Sequence, residues 1–267
     1  MVFGGDIPGG AGLSSSAALE NSVVFGLNEL LNLDLSKKEM IYISQQAEHQ
    51  YAGVKCGIMD QYASMFGQKN TGLLLDCRTI ESIPFHIDFK EYQLLLINTN
   101  VKHSLSESAY NDRRLVCEKV ADLLEVKALR DASEEDLLKV KSKISEADYN
   151  KALYVIQENN IVGEASKAMK TNDIFRLGEL LYQSHNGLQN QYKVSCDELD
   201  FLVEQAKESN DIIGARMMGG GFGGCTINLI KKDSKDLIET IVKAYQSKFN
   251  IEPSVYQVNI DDGVRVL

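Results

Sequence analysis

The sequence predicts an α+β fold built in two lobes. Short runs rich in leucine and isoleucine have the length and composition of strands, whereas residues 106–201 are largely amphipathic and predict helices. A chain of 267 residues is long enough for two lobes, since one domain usually has about 100 to 200 residues. We therefore expect a first lobe over residues 1–90, a second over 91–255, and a strand within 256–267 that returns to the first lobe.

The first lobe is predicted to begin with helices. Residues 14–31 show the apolar spacing of a helix. The apolar face of this helix consists of Ala17, Val24, Leu27 and Leu31. Ser36 followed by Glu39 has the form of a capping box, which starts a second helix that runs to about residue 52. A glycine-led turn then leads into a short helix, and this helix holds Met59, Asp60, Gln61 and Met65.

Strands and helices share the rest of the chain. Two strands are predicted at residues 72–77 and 92–99. Amphipathic helical segments are predicted at residues 115–124, 137–144, 149–156 and 174–182. The C-terminal elements are two strands beside a glycine cluster, then a helix and a last strand, at residues 212–217, 225–230, 234–249 and 256–260.

The composition predicts a cytoplasmic globular protein. The chain is 44% apolar and 25% charged, which is ordinary for this class. Its net charge of −10 argues against nucleic acids and membranes as partners, because both attract clusters of lysine and arginine. No apolar run approaches the ~20 residues of a membrane span. Five cysteines without C-x-x-C spacing and four scattered histidines indicate reduced thiols and no zinc site.

Residues 4–20, GGDIPGGAGLSSSAALE, combine a glycine-rich turn with three serines at a helix start. Glycine lets the backbone approach an anion, and the first turn of a helix carries free N–H groups and a partial positive charge. Serine hydroxyls can cap the helix, donate to phosphate or ligate Mg²⁺. The segment therefore predicts a phosphate cradle, and the alternative is an ordinary capped loop before a core helix.

The predicted phosphate cradle is neither a Walker A loop nor a Rossmann motif. A Walker A loop needs Gly-Lys-Ser or Gly-Lys-Thr, and the first lysine of this chain is Lys37. A Rossmann motif needs a different glycine spacing and a later acidic residue for the ribose. PGGAGLSSSAALE instead resembles the ATP-binding motif of the galactokinase, homoserine kinase, mevalonate kinase and phosphomevalonate kinase superfamily, abbreviated GHMP. GIMDQYASMFGQ at residues 57–68 and ARMMGGGFGGCTI at 215–227 resemble galactokinases in particular, as do residues 98–114 and the ending DGVRVL.

This resemblance implies a two-lobed GHMP-kinase-type fold with the active site between the lobes. It implies a transferase that uses ATP as co-substrate and Mg²⁺ as cofactor to convert galactose into galactose 1-phosphate. Two alternatives remain open. One is another sugar 1-kinase, for example one for N-acetylgalactosamine, and the other is a non-catalytic, ligand-binding regulatory relative.

One family motif is missing from this sequence. Galactokinases carry an upstream signature of the type GRxNLIGEHxDY, which supplies a catalytic arginine and contacts to the sugar. Residues 1–3 fall where the resemblance places the last strand before the phosphate cradle. A strand needs hydrogen-bonded neighbours. We therefore expect an incomplete first lobe, and we expect this chain to phosphorylate galactose poorly.

The resemblance assigns catalysis to Asp60, which would engage the C1 hydroxyl of the sugar. An aspartate near a helix start can instead be a cap or a partner of the helix dipole. The resemblance also makes Glu48 a Mg²⁺ ligand together with Ser15 or Ser16, with Ser16 preferred. The alternative for Glu48 is an exposed helical glutamate.

The remaining site residues also come from the resemblance. The nucleotide-binding set is Gly9, Gly10, Gly12, Leu13, Ser14, Ser15, Ser16, Gly220 and Gly221. The sugar-binding set is Gly57, Asp60 and Tyr110. For the glycine segment at residues 219–224, a structural role in close packing of the lobes is the rival interpretation. A half-buried tyrosine on an amphipathic helix is the rival interpretation for Tyr110.

Overall fold

The structure is a computed structural model that describes residues 2–9, 11–102 and 106–266, with the side chains of 102 and 106–110 outside the description. It contains both helices and sheets, as the sequence predicts. The chain forms two compact units: Met1–Asp88 with Asn259–Leu267, and Phe89–Val258. None of the helices in the described ranges has the length and hydropathy that a bilayer span requires.

The first unit consists of helices and one two-stranded antiparallel sheet. Its elements are α1 (Ser15–Leu31), α2 (Lys37–Ala47), α3 (Met59–Phe66), β1 (Thr71–Asp76) and β2 (Glu81–His86). The predicted capping box is confirmed, because Glu39 N–H donates to Ser36 Oγ and Ser36 N–H donates to Glu39 Oε2. The second helix ends as an α-helix at Ala47 and continues as a π-helix over Glu48–Ala52.

The core of the first unit forms between α2 and α3, around Met40, Ile41, Ile58, Tyr62 and Met65. The predicted apolar face of α1 is wrong at its last residue, since Leu31 is 57% exposed. Two asparagines, Asn21 and Asn28, are buried on α1 instead. Asn28 Oδ1 accepts from the N–H of Leu35 at 2.8 Å, so this side chain closes the turn into α2.

Two strand assignments of the first unit differ from the prediction. Residues 2–7 lie outside any strand, with Val2 98% exposed. None of the described strands pairs with them, and an extended segment without a paired neighbour is not held as a strand. The strand β2 is not predicted from the sequence because Pro84 interrupts it. Proline is tolerated there because both strands of a two-stranded sheet are edge strands.

The second unit is built on a four-stranded antiparallel sheet. Its strands are β3 (Tyr92–Lys102), β4 (Ile212–Met217), β5 (Gly223–Lys231) and β6 (Ser254–Val258), in the order β4-β5-β3-β6. Its helices are α4 (Ser106–Leu123), α5 (Glu134–Val140), α6 (Glu146–Lys170), α7 (Ile174–Gly187), α8 (Asp197–Lys207) and α9 (Lys235–Phe249). The helices α8 and α9 cover the sheet, and the buried hydroxyl of Tyr245 donates to Thr99 O at 2.8 Å.

The last strand differs from its prediction. The sequence predicts a last strand at residues 256–260 and a return to the first lobe within residues 256–267. The structure shows that β6 pairs with β3 inside the second unit, with Leu94 opposite Val258 and Asn98 opposite Ser254. The hydrogen bonds with β3 therefore keep β6 in the second unit, and only Asn259–Leu267 belong to the first unit.

Gly178 on α7 should not tolerate a methyl group. A Cβ there would lie 2.1 Å from Ile213 O, because Gly178 and Gly214 bring α7 against the backbone of β4. We expect Gly178→Ala to lower the free energy of unfolding by about 2 to 3 kcal/mol, the upper range for overpacking. The matched control is Gly163→Ala on α6, where a Cβ meets nothing within 4 Å.

The control should stabilise the chain by up to about 1 kcal/mol, because alanine is the better helix former. Urea unfolding followed by circular dichroism measures both variants. Equal stability of Gly178→Ala and Gly163→Ala would show that α7 moves away from β4 at no cost.

Candidate active site

The N-terminus of α1 presents unpaired backbone donors. Gly12 and Ser14 have left-handed backbone angles, with φ of 73° and 53°, and α1 starts at Ser15. The Ser14 side chain makes no capping hydrogen bond, so the predicted capping role of the serines is not found at this residue. In the described part of the chain, no backbone acceptor pairs with the N–H groups of residues 15–17. Such groups are free to bind an anion. Gly10 lies outside the described residues.

Three carboxylates of the first unit lie within electrostatic range of Cys56. They come from Glu20 on α1, from Glu48 at the start of the π-helix, and from Asp60 on α3. Burial raises the pKa of the Cys56 thiol, and the negative charges of Glu48, Asp60 and Glu20 raise it further. A raised pKa disfavours the reactive thiolate, so Cys56 marks an acidic cluster of Glu20, Glu48 and Asp60 and is not itself a candidate nucleophile.

Glu20 is the functional candidate that the sequence analysis missed. Burial, and then the charge of Glu48, raise its pKa from 4.5 to about 7, against a hydrogen bond with Gln61 that lowers it. Its Oε2 atom is buried and has no hydrogen-bond partner in the part of the chain that the structure describes. A signal was present in the sequence, because Glu20 ends the GLSSSAALE motif and lies one helical turn after Ser16, on the same face of α1.

The raised pKa of Glu20 predicts a dependence of stability on pH. Between pH 4.5 and about 7 the folded chain retains a proton at Glu20 that the unfolded chain has released. Stability should therefore fall as pH rises through this window. Glu20→Gln has no such proton, so its melting temperature should fall less over the window and exceed that of the wild type above it.

Thermal unfolding across this pH range measures the effect. The control is Glu81→Gln at an exposed position on β2, which should keep the wild-type dependence. Identical pH profiles for Glu20→Gln and wild type would show that Glu20 is not perturbed.

The surroundings of Glu48 and Asp60 argue against an exposed helical glutamate and against a helix cap, the structural alternatives for these two residues. Glu48 is buried, so it is not an exposed helical glutamate. Asp60 is half-buried at the second position of α3, where Ile58 is the N-cap and no side chain caps the helix. No hydrogen bond to the Asp60 carboxylate occurs within the described residues, so this carboxylate is available for another partner.

Polar contacts hold the cluster together. Asn21 Nδ2 donates to the carbonyl of Gln61 at 2.8 Å, which joins α1 to α3 next to Asp60. Gln61 is only 1% exposed. The carbonyl of Cys56 contacts His49 Nε2 at 2.9 Å and accepts from Gln45 at 3.2 Å. His49 thus has a structural role.

The glycine segment of the second unit connects β4 to β5. Gly219, Gly221 and Phe222 have positive φ in this connection, as do the first two residues of β5. A Cβ on Gly221 would lie 2.0 Å from Val194 O. Backbone conformation and close packing therefore already require glycine at Gly221, which supports a structural role for the segment.

Comparison with known proteins identifies the family. Residues 1–68 match the GHMP kinases N terminal domain, and residues 165–250 match the GHMP kinases C terminal domain. The chain is 43% identical to the galactokinase of Thermosipho africanus, over 97% of this chain and 73% of that protein. The chain belongs to the galactokinase family of GHMP kinases. This confirms the family predicted from the motifs and makes ATP the co-substrate that the family implies.

Two further galactokinases agree with this assignment. The enzyme of Clostridium beijerinckii is 42% identical, over 99% of this chain and 70% of that protein. The crystal structure of Lactococcus lactis galactokinase complexed with galactose matches with a TM-score of 0.93 and 33% identity, over 97% of this chain and 68% of that chain. The two-lobed GHMP-kinase fold class predicted from the sequence is thereby confirmed.

Proposed function

We propose that this galactokinase family member transfers the γ-phosphoryl group of ATP to the C1 hydroxyl of galactose, giving galactose 1-phosphate and ADP. The observation that carries the proposal is the acidic cluster of Glu20, Glu48 and Asp60 in the unit that also holds the free N-terminus of α1. The cluster supplies carboxylates for a hydroxyl and a cation, and the helix start supplies donors for phosphate.

Asp60 is the proposed catalytic residue. Phosphoryl transfer requires an oriented hydroxyl and stabilised charge more than covalent chemistry by the protein. A carboxylate without a hydrogen-bond partner among the described residues can accept the proton of the C1 hydroxyl or align it. Gly57 supports a sugar at this place, because a Cβ there meets nothing within 4 Å and packing does not explain the glycine. The proposal includes Tyr110, whose side chain lies outside the described residues.

The phosphates of ATP are proposed to lie against the start of α1. Gly9 has no neighbour within 4 Å of a Cβ, so the room around it is not filled by protein. The unpaired N–H groups at residues 15–17 can then donate to phosphate oxygens. The full proposed nucleotide set remains Gly9, Gly10, Gly12, Leu13, Ser14, Ser15, Ser16, Gly220 and Gly221.

Ser16 and Glu48 are the proposed protein ligands of Mg²⁺. Within the described residues no group of three or more His, Cys, Asp and Glu side chains can hold a metal alone. This agrees with Mg²⁺, which takes one or two protein oxygens and completes its shell with phosphate and water. The buried, unpartnered Oε2 of Glu20 beside Glu48 also fits a nearby cation. Bound Mg²⁺ would neutralise charge on the phosphates.

The test is release of ADP by this chain with ATP and Mg²⁺, in the presence of galactose, N-acetylgalactosamine or no sugar. Galactose-dependent release with galactose 1-phosphate as the product is expected. Faster release with N-acetylgalactosamine would favour the other sugar 1-kinase. Binding of galactose and ATP without release by the folded chain would favour the non-catalytic relative. Asp60→Asn serves as the control for contaminating kinases.

A further inference from the structure

His185 on α7 is a buried histidine that the proposed reaction does not use. It is 2% exposed. Its Nδ1 atom accepts the N–H of Met217 at 3.2 Å. Met217 is the last residue of β4, two positions before Gly219, where the glycine segment begins. One ring nitrogen of His185 therefore holds the backbone where the chain enters this segment.

The other ring nitrogen of His185 faces an acidic partner. Nε2 lies 3.2 Å from Asp200 Oδ1 on α8. Asp200 also accepts a hydrogen bond from the Ser195 hydroxyl. Burial raises the pKa of Asp200, but the contacts with His185 and Ser195 outweigh burial and hold it below the usual range. Because Nδ1 accepts a hydrogen bond, the ring proton lies on Nε2, the nitrogen nearer Asp200, although the geometry there falls short of a hydrogen bond.

Ser195 leads to the second attachment of the glycine segment. The carbonyl of the preceding residue, Val194, accepts the N–H of Phe222 at 2.8 Å. Gly221 packs so closely on the same carbonyl that a Cβ would approach it to 2.0 Å. Residues 218–222 connect β4 to β5 and include most of the glycine segment. This connection is thus attached to one network on both sides, through Met217 before it and through Phe222 at its end.

We propose that His185 positions the glycine segment for the nucleotide by accepting the N–H of Met217, while Asp200 and Ser195 hold the imidazole ring in place. The inference rests on the proposed function, because it takes the segment to donate backbone N–H groups to ATP. His185 is a positioning residue in this view and touches neither substrate. His185 is buried, and leucine at such a position would pack without desolvating polar groups. A positioning role explains why these polar side chains are there.

The test uses three substitutions of His185. His185→Leu removes both contacts and leaves the buried N–H of Met217 without an acceptor. His185→Asn keeps an acceptor oxygen near the position of Nδ1 but cannot reach Asp200. His185→Gln keeps a donor near the position of Nε2 but loses the acceptor for Met217. The milder Ser195→Ala, which removes only the hydroxyl donor to Asp200, serves if the leucine variant fails to fold.

Two quantities separate positioning from general stability. The first is hydrogen exchange of the amides at residues 217–222 compared with those of β3. The second is the affinity for Mg-ATP compared with the KM for galactose. His185→Leu and His185→Gln should speed exchange in the segment and weaken Mg-ATP binding, each by about tenfold, the effect of one lost buried hydrogen bond. His185→Asn should recover most of both losses, while exchange of β3 and the KM for galactose stay within about twofold of wild type.

Three outcomes would overturn the inference. The first is faster exchange spread equally over β3 and the glycine segment. The second is an unchanged Mg-ATP affinity when the segment alone exchanges faster. The third is equal loss in His185→Asn and His185→Leu. Failure of the proposed function looks different, because the wild-type chain would then bind no Mg-ATP while the exchange data still report on the segment.

Discussion

Asp60→Asn is expected to lower kcat for galactose phosphorylation by about 100-fold or more, the scale of a general base. Asparagine keeps the shape of the side chain and removes its charge. The structure shows no hydrogen bond of the Asp60 carboxylate within the described residues, so its loss should not break a helix cap. The melting temperature and the affinity for ATP should therefore remain close to those of wild type.

Steady-state kinetics with coupled detection of ADP, together with ATP titration, tests this expectation. The matched control is Asp122→Asn on α4, an exposed aspartate far along the chain from the acidic cluster. Near-normal kcat in Asp60→Asn would return Asp60 to a structural role. A fall in melting temperature large enough to unfold the variant would do the same.

The local chemistry of several elements was readable from the sequence. The capping box at Ser36 and Glu39 was visible because a cap depends on residues only three positions apart. The bounds of β4 were predicted at residues 212–217 and are found there, between a polar turn and the glycine segment. These features depend on short-range pattern alone.

The errors have a common cause in long-range contacts. Hydropathy predicted that Leu31 is buried, but its side chain is 57% exposed. The polar Asn21 is buried on the same helix, because its amide donates to the carbonyl of Gln61, forty residues away. The last strand was assigned to the first lobe, but β6 finds its partner in β3, about 160 residues earlier, and the return to the first unit begins only at Asn259. Sequence pattern does not encode which distant backbone groups will meet.

The residues of the candidate site also divide into those that the sequence indicated and those that only the folded structure revealed. The resemblance named Glu48 and Asp60, but it assigned no role to Glu20, although Glu20 ends the phosphate-cradle motif, or to His185. Both are polar groups whose importance follows from burial, and burial depends on the folded neighbours. The side chain of Glu20 meets Glu48 from another helix, and that of His185 meets Asp200 from another.

Two π-helical turns occur beside the two candidate sites. One, Glu48–Ala52, follows α2 and leads to Cys56, and the other, Leu188–Tyr192, follows α7 and leads to Val194. Each is followed by a residue in a left-handed conformation, Gly53 or Lys193. Such turns widen a helix by one residue and are frequent at functional sites.

Gly12→Ala is expected to weaken Mg-ATP binding by about tenfold or more, because the backbone donors of the phosphate cradle depend on its conformation. Gly12 has φ of 73°, and a side chain there strains the backbone by about 1 to 2 kcal/mol. Gly53 is a matched control in the same unit, with φ of 72° and nothing within 4 Å of a Cβ. Gly53→Ala should carry the same strain and leave Mg-ATP affinity unchanged.

Titration calorimetry of Mg-ATP binding to the folded variants tests whether the start of α1 is a phosphate cradle or an ordinary loop. Because the two glycines share their backbone angle, any difference in Mg-ATP affinity between Gly12→Ala and Gly53→Ala reports position and not strain. Gly221→Ala should weaken binding in the same way if its segment also holds the triphosphate, since the methyl group must push the chain away from Val194. Equal, wild-type affinity in Gly12→Ala and Gly53→Ala would mean that the start of α1 is an ordinary loop before a core helix.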